Sequence, residues 1–364
     1  MRRARGQEEV RDGPRPLVSV LMAARNAESC VARAVSSVLR QSLDDLELLV
    51  VDDGSTDSTA EVVLEMARSD DRIRVLRRTV GRGQAAALNV AVSEARGRLV
   101  ATLDADDEAA PDRLALQAGA LEADRGLVLL GGAVQTWCDR HDRPGAVWRY
   151  AADDGAIRAR TLFKSEHISG AMTLDRDRLP AAALRFDEGL RVGADWDLSI
   201  AAMRAGRVAN LPDVVLRYRF HAGQLTSRMT DDLGSDSTRI RAALLARAGI
   251  LPSDEEMRVH LALSPCAYWP FGSHPLFRAR RTTIRRDADA WLGRLVPACV
   301  HAGLAPEPAL RAYAGEIRAA IDAVIDQDDD EAARAHACCP VAVRSACLAP
   351  SPCRSSGPTS VPGE

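Results

Sequence analysis

Three carboxylates fall within four residues at Asp104-Ala105-Asp106-Asp107, directly after the apolar run Leu99 to Leu103. Acids crowded at a partly buried strand end repel one another and raise each other's pKa unless a cation sits among them. Oxygen ligands of this kind suit Mg²⁺ or Mn²⁺, which keep waters and bind a diphosphate as well. The plainer alternative is a helix N-cap with spare acids. A second acidic strand end, Asp52-Asp53-Gly54-Ser55-Thr56-Asp57, follows the run Leu46 to Val51. A carboxylate there accepts a uracil N–H or a ribose hydroxyl, or it only caps the turn and the next helix. Between the two, Gly81-Arg82-Gly83 lets main chain and guanidinium approach a phosphate. Gly193-Ala194-Asp195-Trp196-Asp197 presents acids where a helix starts, a position at which Asp is also a common cap.

The elements that must hold these groups can be read from apolar spacing. Leu17 to Met22 reads as a strand, and Val31, Val35, Val38 and Leu39 follow at helical spacing. Leu46 to Val51 is the second strand, and Ser58 with Glu61 predicts a capping box opening the next helix. Ile73 to Leu76 and Leu99 to Leu103 are the third and fourth strands. Between them Gln84 to Arg96 is a helix, stopped at Gly97 by an expected left-handed cap. Further strands are expected near Leu127 to Val134, Met172 to Leu174 and Val214 to Phe220, with helices near Asp112 to Ala123 and Trp196 to Ala205. Strands alternating with helices predict an open, largely parallel α/β sheet, in which ligands bind beyond the carboxyl ends of the strands. The first strand turn, Ala23-Ala24-Arg25-Asn26-Ala27, lacks a Gly-x-Gly-x-x-Gly loop, which disfavours a dinucleotide dehydrogenase.

Taken in order, these segments resemble the family-2 glycosyltransferases of the GT-A fold. The resemblance rests on Val18 to Asn26, Asp52 to Asp57, Gly81 to Asn89, Asp104 to Asp107, Ala194 to Leu198 and Tyr218-Arg219-Phe220-His221, and covers about Pro16 to Ser227. It implies an inverting enzyme that moves a sugar from a nucleotide diphosphate, UDP above all, to an acceptor hydroxyl. By that resemblance Ala23, Arg25, Asp52, Asp53, Arg82, Asp104 and Ala105 line the nucleotide. Asp106 and His221 hold Mn²⁺ or Mg²⁺, and Asp195 is the catalytic base. His167, Ser169, Gly170 and Trp196 belong to the donor-sugar and acceptor loop. Two departures stand out: Ala194 replaces the first of the family's acidic pair, and Ala23 and Arg25 stand where Pro and Tyr are common. The competing functions are a sugar nucleotidyltransferase, which needs a Gly-rich basic loop that Ala23 to Ala27 does not supply, and a non-catalytic nucleotide-sugar-binding protein, suggested by Ala194.

Composition bounds the rest. The 364 residues are 46% apolar and carry a formal net charge of -3, with no general electrostatic attraction to nucleic acid. Apolar runs such as Leu127 to Leu130 fall far short of the ~20 residues a bilayer span needs. Met1 to Pro16 lacks the apolar stretch of a secretory signal, so the expected location is the cytoplasm or the inner membrane face. Eight cysteines without a Cys-x-x-Cys pair read as reduced thiols. The expected division is a disordered tail over 1–15, the GT-A domain over 16–230, a helical C-terminal region over 231–333 and a disordered tail over 334–364. Within the helical region, residues 269–286 mix Trp269, Phe271 and Phe277 with arginines, as a peripheral membrane contact or an acceptor-holding surface would; an ordinary solvated helix with a buried anchor is the simpler reading.

Overall fold

The computed structural model describes residues 15–138, 143–221, 230–264 and 275–326. β1 (Val18–Ala24), β2 (Leu46–Asp53), β3 (Ile73–Arg78) and β4 (Leu99–Thr102) run parallel in the order β3-β2-β1-β4. α1 (Val31–Leu39), α2 (Thr59–Ser69) and α3 (Gln84–Glu94) connect them. Strand alternation decides which helix each side chain meets. Val18, Val20 and Met22 of β1 and Leu46, Leu48 and Val50 of β2 share a core with Val31, Val35 and Val38 of α1. Leu21, Leu49 and Val51 face the other way, into a core with Ala87, Leu88 and Ala91 of α3. Both faces are covered, which is why these strands read as continuous apolar runs.

Beyond β4 the chain forms β5 (Glu108–Ala109), α4 (Arg113–Ala123), β6 (Leu127–Cys138), β7 (Arg143–Trp148), α5 (Asp154–Thr161), β8 (Thr173–Asp175), α6 (Ala194–Ala205) and β9 (Arg207–Phe220). The sheet continues β4-β8-β6-β9-β5, with β7 alongside β6. Only β6 and β9 pair in parallel here; β8 lies antiparallel to both β4 and β6, β5 to β9 and β7 to β6. The GT-A-like α/β architecture is present, but the sheet is more mixed than its sequence suggests. A three-residue strand such as β8 carries no mark of its direction, which is set by the connections on either side of it.

The helical region comprises α7 (Thr230–Arg247), α8 (Asp254–Ala262), α9 (Pro275–Arg278), α10 (Ile284–His301) and α11 (Glu307–Asp326). Its core is shared with the sheet domain: Phe163 and the α6 residues Trp196 and Ile200 pack with Leu245, Trp291, Leu292 and Ile317. On its other face α6 sends Leu198 and Ala202 into the α3 side of the sheet core. No helix among the described residues is long and apolar enough to cross a membrane. Of the 269–286 segment, residues 269–274 lie outside the described residues. Phe277 is buried, and Arg280, Arg285 and Arg286 each meet a carboxylate.

Three local expectations are corrected. Ser58 caps α2 with no side-chain bond; Asp57 instead accepts from the Thr59 main chain and hydroxyl, and Glu28 accepts from the Ser58 N–H. Gly97 is not left-handed; a Cβ there would stand 2.6 Å from the Ser19 nitrogen, so glycine serves a close approach to β1. Cys30 and Cys299 carry free thiols but Cys138 is disulfide-bonded, a pairing with no signature in the local cysteine spacing.

Candidate active site

The turn after β4 is closed by the Asp107 N–H donating to the Asp104 carbonyl at 3.1 Å, which splays three carboxylates to different neighbours. Asp104 Oδ1 accepts from Gln84 Nε2 at 2.8 Å and from the Ser169 hydroxyl at 3.3 Å. Asp106 Oδ2 lies 2.9 Å from His221 Nε2, at the end of β9. Asp107 Oδ1 accepts the Arg219 N–H at 2.9 Å, while its other oxygen is buried with no hydrogen-bond partner. Burial, then the charges of Asp106 and Asp195, pushes Asp104 up to about 7. Burial together with Asp106 and Asp104 drives Asp107 well above the carboxylate range.

Gly193, left-handed at φ 81, turns the chain into α6 and sets Asp195 in its first turn. Burial raises the Asp195 carboxyl, against main-chain hydrogen bonds from Trp196, from Asp195 itself and from Ser169. Ser169 therefore touches two acids, Asp104 through its hydroxyl and Asp195 through its main chain. Gly170 is pinned by space, since a Cβ there would sit 3.3 Å from the unpartnered Asp107 oxygen and 3.2 Å from Leu216.

Two loop assignments are corrected. His167 is fully buried, with Nδ1 2.8 Å from the Ser199 hydroxyl and Nε2 3.4 Å from the Ala209 carbonyl, and burial lowers its pKa to about 4. Both ring nitrogens are occupied inside the core, so it does not reach a sugar. Trp196 turns from the acids into the helical core, its ring under the Arg241 guanidinium at 4.8 Å. Asp195 and Trp196 are neighbours in sequence, but adjacent helical residues face different sides.

At the second strand end, Asp53 is fully engaged. It accepts from the Arg82 N–H at 3.1 Å and the Gly83 N–H at 2.8 Å and pairs with Arg78 at 3.0 Å, holding the Gly81-Arg82-Gly83 loop. Among the described residues Asp52 accepts only from the Ser55 N–H, at 3.2 Å, with Arg77 3.9 Å from its other oxygen. Arg25 lies against Gly81, where a Cβ would come 2.6 Å from its guanidinium. Ala23 and Ala24 pair with Val51 and Asp52 across β1 and β2, Ala105 is buried, and Arg82 reaches Glu188 at 3.2 Å. Thus β1, β2 and the 81–83 loop build one corner, and β4, α6 and β9 the other.

Glycosyl transferase family 2 matches residues 19–177, the segment that carries β1, both acidic strand ends and the 81–83 loop. Over that segment the chain is similar to this family. Among curated relatives, the succinoglycan biosynthesis protein ExoO of Rhizobium meliloti is 34% identical over 220 residues, 58% of this chain and 63% of that one. The E. coli glucosyltransferase WfgD, named for transfer from UDP-Glc to α-D-GlcNAc-diphosphoundecaprenol, is 44% identical over 101 residues, 28% of this chain and 39% of its own. The chain thus spans less than two thirds of either relative. Among solved structures, S. aureus TarS 1–349 with UDP-GlcNAc aligns at TM-score 0.54 and 19% identity, covering 85% of this chain and 89% of that one. The mannosyltransferase PcManGT of Pyrobaculum calidifontis, solved with GDP-Man and Mn²⁺, aligns at TM-score 0.51 and 19% identity, covering 92% and 87%. These two likenesses establish the fold.

The site also uses residues that sequence reasoning passed over. Arg113, fully buried at the start of α4, donates from Nη2 to the Thr102 and Met172 carbonyls at 2.8 and 3.0 Å, from Nη1 to the Gly170 carbonyl and from Nε to Gln117 at 3.1 Å. Gln117 in turn donates to the Ala171 carbonyl at 2.8 Å. Together they bind the β4 end to the Ser169–Ala171 turn, and so set Asp104 against Ser169. Burial lowers the Arg113 pKa to about 10 while Asp104 and Asp107 raise it, leaving a cation under the acid cluster. The only sequence signal is an Arg and a Gln four apart on one face of α4, which looks like an ordinary helix start.

A divalent ion would find two protein ligands here, Asp106 and His221, already 2.9 Å apart. No group of three or more His, Cys, Asp or Glu converges on one metal position among the described residues. Two ligands fit an ion whose remaining positions go to a diphosphate and water, as Mg²⁺ and Mn²⁺ sites with phosphates commonly do.

Proposed function

We propose that the chain is an inverting glycosyltransferase that moves a sugar from a UDP-sugar to a hydroxyl of a glycan or lipid-linked glycan, with Mn²⁺ or Mg²⁺ bound at Asp106 and His221. The observation that carries this is Ser169 joining Asp195 to Asp104: a buried, raised carboxylate is held beside the acids that would face the diphosphate. WfgD, named for its UDP-Glc donor and lipid-linked acceptor, and the TarS and PcManGT complexes with UDP-GlcNAc and with GDP-Man and Mn²⁺ support the donor and metal classes.

Asp52, whose second oxygen has only a long ion pair with Arg77, holds the nucleoside, while Asp53 fixes the loop that carries Arg82, whose guanidinium would leave Glu188 to meet a phosphate. The bound ion supplies charge neutralisation for the leaving diphosphate. Asp195 takes the acceptor proton as general base, and burial makes it a stronger base than an exposed carboxylate. One displacement from the face opposite the diphosphate inverts the anomeric carbon.

Asp195→Asn tests this reading. The amide keeps shape and capping capacity, so UDP-sugar affinity holds while kcat falls ~100-fold or more. Wild-type turnover by Asp195→Asn, with any acceptor the native protein uses, would remove Asp195 from the mechanism.

A further inference from the structure

A cavity of about 300 Å³ opens between α5, α6 and α7, lined by Arg158, Thr161, Leu244, Arg204 and Arg247 and closed by Gly303 and Leu304. No Asp or Glu lines it. Arg158 is committed, paired with Asp154 at 2.7 Å and donating to the Met203 and Gly206 carbonyls. The side chains of Arg204 and Arg247 make neither an ion pair nor a hydrogen bond among the described residues. Burial, then the charges of Arg204 and Arg158, lowers the Arg247 pKa. Thr161 is 3% exposed, and its hydroxyl, on the same wall, has no hydrogen-bond partner.

Like charges gathered around a partly open cavity, beside a buried polar atom with nothing to bond, are an arrangement that an anion stabilises. An adjoining cavity of about 580 Å³ shares Arg158, Met203 and Arg204. Its further arginines, Arg125, Arg178 and Arg207, are each neutralised, by Glu122, Asp175 and Asp124. The arginines without an ion pair are therefore Arg204 and Arg247, with Asp197 of α6 the carboxylate whose charge Arg204 feels. Arg204 lies nine residues beyond Asp195 on α6, roughly two and a half turns or ~14 Å along the axis and on the opposite side. The cavity is thus separate from the acid cluster.

We propose that this cavity is a second binding site, for a phosphoryl group, held by the forks of Arg204 and Arg247 with the Thr161 hydroxyl donating to one of its oxygens. The same chemistry serves a free phosphate or diphosphate and the phosphate of a lipid headgroup. The inference is independent of the reading of the acid cluster.

Calorimetry with inorganic pyrophosphate in EDTA tests it on the full chain. Saturable binding is expected in the wild type and in Asp106→Asn, at least tenfold weaker in Arg204→Gln/Arg247→Gln and several-fold weaker in Thr161→Val. Both exposed arginines lack partners, so the double variant should melt like the wild type. Sedimentation with phosphatidylcholine vesicles, with and without phosphatidic acid, separates the sources. Retention that needs both phosphatidic acid and the two arginines assigns a headgroup; pyrophosphate binding without retention assigns a soluble phosphate. No saturable pyrophosphate binding, or equal binding by the double variant, would overturn the proposal.

Discussion

Replacing Arg113 asks how much the buried guanidinium contributes beneath the acid cluster. Its nitrogens satisfy three main-chain carbonyls and the Gln117 side chain, from three different edges of one plane. In Arg113→Lys a single ammonium cannot reach acceptors spread across that fork. Leaving one or two buried carbonyls unsatisfied costs ~1–3 kcal/mol each, so a loss of ~2–5 kcal/mol is expected. Arg113→Met abandons all of them and also removes a positive charge that holds Asp104 down. It should be the less stable of the two, and Asp104 should then keep its proton to a higher pH. Urea unfolding followed by circular dichroism reads the first effect. The pH midpoint of Mn²⁺-dependent UDP binding, by calorimetry, reads the second and should move upward in Arg113→Met. If Arg113→Met unfolds within ~1 kcal/mol of the wild type with an unchanged midpoint, the guanidinium neither braces the turn nor tunes the acids.

UDP affinity should collapse in EDTA and return with Mn²⁺ or Mg²⁺, because the diphosphate and Asp106 would otherwise meet as like charges; calorimetry showing equal affinity in both conditions rejects the metal assignment. Trp196→Ala should cost ~3–5 kcal/mol in urea unfolding, as removal of a core aromatic does, since the ring packs in the helical core; a large rise in acceptor KM with stability intact would return Trp196 to the sugar. His260 accepts from the Trp291 indole at 3.1 Å through Nδ1, so its Nε2 carries the proton donated to the Leu162 carbonyl at 3.0 Å, and burial with nearby Arg241 lowers its pKa to about 3. A His whose folded pKa lies below the unfolded value gives stability that is complete above pH ~6.5 and lost at ~1.4 kcal/mol per pH unit as pH falls toward that folded pKa. His260→Gln should make the acid limb of stability against pH shallower by about one proton, and an unchanged slope would mean that His260 titrates freely.

Most of the parallel half of the sheet was legible because β1, β2 and β4 are buried on both faces, so Leu46 to Val51 and Leu99 to Leu103 stand out as runs ending in acids. Asp104, Asp106, Asp195, Ser169 and His221 stand out as candidates through their order along the chain, and the fold brings them together. What the sequence hid depends on segments far apart. His167 reads as functional until Ser199 of α6 and Ala209 of β9 enclose it. Arg113 reads as a surface charge until the Thr102, Gly170 and Met172 carbonyls converge on it. Asp52 and Asp53 are equivalent as letters, and only the return of the 81–83 loop onto Asp53 tells them apart.

The family match ends at Asp177, before the helix that bears Asp195. That helix is gripped from both sides, by Leu198 and Ala202 in the sheet core and by Trp196 and Ile200 in the helical core. Cutting the chain after β9 would strip one wall from α6, expose an indole and an isoleucine to water and let the helix roll. The smallest piece able to keep Asp195 in register is therefore larger than the recognisable family segment. Chimeras that graft foreign C-terminal helices onto this sheet should succeed only when the new helices refill the groove around Trp196.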